Sequence, residues 1–296
     1  MNFDLEENKI KRRQRFKTLA MATLLGSILG VGVFVLFKER KDPGAISAAA
    51  FRDLPYQGKK EAPLEAFEVF DFECVHCRDF ILNVYPKIKQ EYIDKGKLKF
   101  HLINVNFIDK SGFFSAVPNI AGQLLLERDP EGYDKFCELV FQNHKDIFPR
   151  EEKETLRKMM EEMKTISGNK KEEELTKEEQ SKLSELKSKI EKTAFDGIKS
   201  RLALVQKLVE GSTQTDKAKE INGIVNGIVS PSDDPQQQSL IEKARKVVET
   251  RTNQVGSQKI DQVPKLLIRK EGDDTLKDIK KFQDWPSVKK EIDDLL

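Results

Sequence analysis

Phe67-Glu68-Val69-Phe70-Asp71-Phe72-Glu73-Cys74-Val75-His76-Cys77-Arg78 carries the chain out of a strand-like apolar run, through two cysteines, into a stretch of helical periodicity. A C-x-x-C at such a junction puts its first thiol at a helix start, against unsatisfied N–H groups and the positive end of the helix dipole. The thiolate of Cys74 is therefore favoured. A lowered thiol pKa makes Cys74 an available nucleophile and a good leaving group, and the two-residue spacing lets Cys77 close back on it as a disulfide. His76 adds positive charge or a donor beside the reduced pair. Glu73 has the opposite effect on the thiolate unless it faces solvent or pairs with Arg78.

Two other chemistries use paired cysteines. Haem attachment needs histidine where Arg78 stands, which removes it. A closed zinc site needs a second ligand pair, and Cys137, His101 and His144 offer no paired spacing. Reversible redox chemistry, with no metal and no cofactor, is the reading that this context favours. The third cysteine, Cys137, lies in the helical pattern EGYDKFCELVFQNH beside Phe136 and near Val140 and Phe141, which suits a buried inert thiol; an intermolecular bond or a resolving role is the competing reading.

Outward from the motif, Leu64 to Phe72 reads as a central strand, Phe80 to Tyr92 repeats at helical spacing up to Gly96, and Leu98 to Val105 resumes a strand. Strand, helix, strand predicts a parallel crossover. From Ser111 to Val255 only helical periodicity is present. Asp129-Pro130 reads as an N-cap with proline at the first turn, and Thr176 to Glu179 as a capping box. Beyond that box Leu183, Leu186, Ile190, Ala194, Ile198, Leu202, Val205 and Leu208 form one apolar stripe, and a further helix is expected over 236–255.

Segment 151–192 is rich in Glu and Lys and lacks aromatics, so it is expected to protrude as a helical hairpin or to stay partly mobile, with a docking surface as the alternative. Strand patterns return at Val263 to Arg269 and, edge-like, at Leu276 to Phe282, before a final helix that Trp285 anchors. The fold class is α/β: residues 64–110 and 256–296 form one domain, interrupted by an inserted helical domain, 111–255.

The chain has 296 residues, of which 34% are charged and 38% apolar, and a formal net charge of +2. Such balanced signs give no basic field for nucleic acid. Thr18 to Phe37 is an uncharged run of twenty residues, which at about 1.5 Å each crosses a hydrocarbon core of roughly 30 Å. Six basic residues between Lys9 and Lys17 precede it and only Lys38, Arg40 and Lys41 follow closely, so residues 1–17 are expected in the cytoplasm and the remainder outside. Lys38-Glu39-Arg40-Lys41 comes before any small-residue site, which favours an uncleaved signal-anchor at 18–37 over a cleaved signal peptide, with a polar linker at 38–63. Gly26 and Gly30 permit a helix dimer in the span, and so a homodimer.

C-V-H-C after a strand, a helical insertion, and Ile260-Asp261-Gln262-Val263-Pro264-Lys265-Leu266-Leu267-Ile268 together resemble the DsbA-like thiol-disulfide oxidoreductases of the thioredoxin superfamily, over about Leu64 to Leu296. The resemblance implies a thioredoxin-like fold with a large inserted helical domain, here preceded by one N-terminal transmembrane helix. It also implies that Pro264 is cis and faces the dithiol, with Val263 before it, both serving extended peptide substrates. Val75 stands where the family usually has proline, and with Glu73 it bears on the strength of oxidation.

The expected function is disulfide formation in unfolded or cysteine-containing exported proteins. The catalytic residues would be Cys74, exposed, Cys77, shielded, and His76. By resemblance, a DsbB-like quinone-linked membrane protein would reoxidise the pair. The expected location is the bacterial inner membrane, single-pass, with the catalytic domain facing the periplasm or exterior. A reductase or isomerase kept reduced by a membrane electron donor is the alternative within the enzyme class, and a membrane-tethered chaperone or assembly scaffold the alternative outside it.

Overall fold

The computed structural model describes residues 46–51, 54–108, 114–168, 174–230 and 235–296. The expected span at 18–37 lies outside them, and among the described residues no helix is long and apolar enough to cross a membrane. Strands β1 (Ile46–Ser47), β2 (Leu64–Phe70), β3 (Leu98–Asn104), β4 (Lys265–Lys270) and β5 (Thr275–Ile279) make one sheet in the order β1-β5-β4-β2-β3. β2 and β3 run parallel, with Phe67 opposite His101, as the crossover predicts. β4 is antiparallel to β2, with Phe67 opposite Leu267, so the sheet is mixed.

Alternation along β2 gives the sheet two apolar faces, because successive side chains point to opposite sides. Leu64, Ala66 and Phe70 join the main core, while Phe67 and Val69 join a smaller one with Ala48, Phe51, Ile103, Val255 and Ile260. Two expectations change here. The described part of the 38–63 linker, from Ile46 on, is structured: β1 pairs with β5, and Phe51, only 2% exposed, packs on the Phe67 ring of the sheet. Consequently β5 is not an edge strand; the two-residue β1 covers it. On the smaller core's side Glu65 meets His101 Nε2 at 3.0 Å and Arg269 Nε at 2.7 Å. Burial alone would raise the Glu65 carboxyl, but those hydrogen bonds outweigh it and bring the pKa down to about 2.

Between β2 and β3 the expected single helix is broken. α1 (Val75–Asn83) ends at Val84, α2 (Tyr85–Ile88) starts with a proline in its first turn, and Lys89–Ile93 winds wider. Pro86 has no N–H to continue the ladder, which accounts for the break. Between β3 and β4 lie α3 (Ala116–Arg128), α4 (Pro130–Gln142), α5 (His144–Ile147), α6 (Arg150–Ser167), α7 (Lys177–Ser212), α8 (Thr215–Asn226) and α9 (Pro235–Ser257). The capping box forms as read, with Thr176 and Glu179 satisfying each other's backbone N–H groups at the start of α7. Every residue of the apolar stripe on α7 is buried. Asp129 caps α4 by position, and its carboxylate also accepts the Thr213 hydroxyl. α10 (Trp285–Asp293) closes the chain, with the Trp285 ring 6.4 Å from that of Tyr92.

The charged segment is a helical hairpin of α6 against α7. It buries Leu156, Leu183, Leu186 and Ile190, and also one ion pair: Arg201, 2% exposed, meets Glu152 at 3.0 Å. Gly197 makes room for that pair, since a Cβ there would stand 1.9 Å from Glu152 Oε1.

Candidate active site: a dithiol at the start of a helix

The chain leaves β2 at Phe70 and turns on Asp71, whose carboxylate accepts the N–H groups of Glu73 at 2.9 Å, Phe107 at 2.8 Å and Ile108 at 2.9 Å. The loop after β3 is thereby tied to the turn before the cysteines. Cys74 N donates to the Asp71 carbonyl at 2.9 Å, which sets Cys74 as the N-cap of α1. A thiol at an N-cap faces N–H groups that have no partner within the helix. Cys77 N–H accordingly points at Cys74 Sγ across 3.3 Å.

Cys74, Cys77 and Cys137 are free thiols. Cys77 is fully covered, but Cys74, expected to be exposed, is only 4% exposed. The reason is the segment before β4: the Val263–Pro264 peptide is cis, and the Val263 carbonyl lies 3.6 Å from Cys74 Sγ. Pro264 is buried and Val263 half-buried. Residues 189 positions apart thus meet at one sulfur.

The two thiols are driven apart in acidity. The Cys77 thiol hydrogen-bonds Cys74, and the N–H groups of Cys77 and His76 add to it; these outweigh burial and the Asp71 charge, so the Cys74 pKa is lowered. Burial pushes the Cys77 thiol well up, and the neighbouring Cys74 and Glu68 push the same way. Glu68 shares the core-facing side of β2 with Ala66 and Phe70. It is 0% exposed, and neither carboxyl oxygen has a hydrogen-bond partner among the described residues. Burial, then the Cys74 charge, hold its carboxyl pKa well above the usual 4.5.

His76 stays exposed, and the Gln283 amide donates to its Nδ1 at 3.2 Å. Its backbone N–H, not its ring, is what reaches the Cys74 sulfur. Val75 is 47% exposed beside it. Glu73 does not pair with Arg78, which binds Asp79 at 2.8 Å; the Lys153 ammonium takes the Glu73 carboxylate instead. His144 Nε2 is 3.0 Å from the Glu73 carbonyl oxygen, and its pKa is lowered chiefly by burial. Cys137 is remote in character: it is fully buried, and burial, then Asp134, raise its thiol pKa well above the ordinary value.

Sequence reading missed Glu68, Asp71, Lys153, His144 and Gln283 at this site. For Glu68 the signal existed, because strict alternation from Leu64 assigns it to the core side of β2. For Lys153 there was none, since a lysine among lysines and glutamates carries no mark of facing inward.

The family model described as Thioredoxin matches residues 52–200, half of the chain. The probable disulfide bond formation protein D of Bacillus cereus is 30% identical over 141 residues, which cover 48% of this chain and 62% of that protein. Disulfide bond formation protein D of Bacillus subtilis is 34% identical over 92 residues, covering 31% of this chain and 40% of that protein. Each match thus spans less than two thirds of the relative's own length. Among solved structures, oxidised BdbD from Bacillus subtilis superposes with a TM-score of 0.50 at 19% identity, over 86% of this chain and 98% of that one, a likeness of fold. With the sheet order and the dithiol at the start of α1, the match to the family model makes the chain a member of the thioredoxin family.

Proposed function

We propose that this chain is a dithiol oxidase that introduces disulfides into exported proteins. The observation that carries the reading is the placing of the two thiols: Cys74 caps α1 with the Cys77 N–H on its sulfur at 3.3 Å, while Cys77 lies fully covered beneath it, so the first thiol pKa is lowered and the second raised. A client thiolate attacks Cys74 Sγ of the oxidised pair, the S–S bond breaks, and Cys77 leaves and takes up a proton. Glu68, whose carboxyl pKa burial raises and which is electrostatically linked to Cys77, is the proposed internal source for that proton. A second client thiolate then attacks the client sulfur of the mixed disulfide and expels Cys74 as a thiolate. Two client thiols become one disulfide, and the two electrons reside in the reduced Cys74–Cys77 pair.

Val263 and Pro264 are the proposed docking point for the client backbone, beside the sulfur they cover. Reoxidation requires a disulfide or quinone-linked acceptor, proposed to be a DsbB-like membrane protein. The apolar run at 18–37 supports anchoring in a bacterial inner membrane, with the catalytic domain outside the cytoplasm. The test is one turnover of the oxidised full chain, in detergent, with a reduced peptide bearing two cysteines. The expected result is one disulfide gained by the peptide for each pair of thiols gained by the protein. An unchanged dithiol peptide, with disulfide peptide reduced by the reduced chain instead, would favour the reductase.

A further inference from the structure

The hairpin of α6 and α7 has the composition of a solvated element, yet two consecutive residues on its first helix face inward in different directions. Glu152 pairs with the buried Arg201 of α7, fixing α6 against the insertion. Lys153 reaches the other way. Its ammonium binds the Glu73 carboxylate and lies 5.2 Å from the ring centroid of Phe148 and 5.4 Å from that of Phe114. Both ends of this pair are shielded, with the Glu73 side chain 10% exposed and that of Lys153 26% exposed.

Glu73 is the residue before the nucleophile, and it is held at every polar part of its backbone as well. Its N–H goes to Asp71 at 2.9 Å, and its carbonyl meets His144 of α5 at 3.0 Å. Among the described residues, the peptide entering Cys74 therefore rests on the insertion through His144 and Lys153. A carboxylate this close in sequence to a thiolate, in a shielded place, acts through a lower effective dielectric than water and opposes the thiolate's charge. An ammonium bound to that carboxylate cancels most of its field and fixes where it points.

We propose that the charged hairpin is a redox-setting element: Lys153, delivered from α6, neutralises and holds Glu73 and so keeps the residue before Cys74 from weakening the thiolate. Lys153 is thus a positioning residue that acts through Glu73. The inference rests on the exchange chemistry proposed above and gives the insertion a part in it. Glu152 and Arg201 anchor the helix turn from which Lys153 projects, which explains why a segment so rich in charge still buries one ion pair.

The test measures two quantities on the full chain in detergent: the equilibrium constant for reduction of the disulfide by glutathione at neutral pH, and the titration of the Cys74 thiolate by its ultraviolet absorbance. Lys153→Met is expected to lower the constant roughly three- to tenfold, the reduced form losing stability, and to raise the Cys74 midpoint. Lys153→Arg keeps the charge and is expected to stay within about twofold of wild type. Glu73→Gln shifts both quantities the opposite way by a similar factor, and the Glu73→Gln/Lys153→Met double variant returns to within about twofold of wild type.

Leu183→Ala, nearer the tip of the hairpin than Lys153, is the control for mere loosening, expected to lower thermal stability with the constant within about twofold of wild type. A Lys153→Met constant within about twofold of wild type overturns the inference. Should Lys153→Met fail to fold, Glu73→Gln decides by itself: a raised constant supports the inference and an unchanged one overturns it. A wild-type chain that exchanges normally beside an unmoved Lys153→Met refutes only this inference, whereas a wild-type chain that exchanges with nothing refutes the proposed function and this inference with it.

Discussion

Cys77→Ala is expected to hold a single-cysteine peptide as a mixed disulfide on Cys74 with a lifetime at least about a thousandfold longer than wild type does. Wild-type enzyme escapes such a dead end because Cys77, fully covered and hydrogen-bonded to the Cys74 sulfur, attacks within the molecule. Attack from a preset position is equivalent to thiol concentrations of about 10⁵ M or more, far beyond any free thiol in solution. Removing that one sulfur therefore leaves only slow bimolecular release. The reciprocal change, Cys74→Ser, should give no complex at all, since Cys77 is both buried and held protonated. Intact-mass analysis over time reads both. Equal decay of the adduct in Cys77→Ala and wild type would show that Cys77 is not the resolving thiol.

Glu68→Gln is expected to make the folded chain more stable than wild type by a margin that grows with pH. Glu68 has its carboxyl pKa raised well above 4.5 by burial, whereas in the unfolded chain it returns to that ordinary value. Between the two values the folded state holds a proton that the unfolded state has lost. Stability from this group is thus present below the unfolded pKa and declines as pH rises, at up to about 1.4 kcal/mol per pH unit. Glutamine does not titrate, so the decline vanishes in the variant.

Denaturant titrations of both proteins, reduced, at several values from about pH 4 to about pH 8 isolate this term, because other groups cancel in the difference. A difference independent of pH would mean that Glu68 ionises in the folded chain as it does in water. The same variant should exchange disulfides about tenfold or more slowly, having lost the internal acid beside Cys77.

The motif and its surroundings were legible in the sequence wherever the determinant was local. A strand entering C-x-x-C, the capping box at Thr176, the apolar stripe of α7 and the strand after Pro264 each depend on residues within a turn or a ladder of one another. What escaped reading depends on contacts across the fold. β1 is two residues long and exists because β5 offers it an edge, so no periodicity marks it. The cover over Cys74 comes from Val263, and the counter-ion of Glu73 from a helix 80 positions away. Arg78, the nearer candidate in sequence, points along α1 to its neighbour Asp79 instead. The break at Val84 was the exception: Pro86 announced it, and the continuous apolar spacing from Phe80 to Tyr92 hid it.

The reduction potential of the Cys74–Cys77 pair, read from its thiol content across glutathione buffers of graded composition, probes the oxidase reading at its root. An N-cap thiolate facing the Cys77 N–H at 3.3 Å stabilises the reduced form, so the potential should lie well above the roughly −270 mV of thioredoxin. A value at or below that figure would mean the disulfide is the favoured state, and the chain would not be an oxidase.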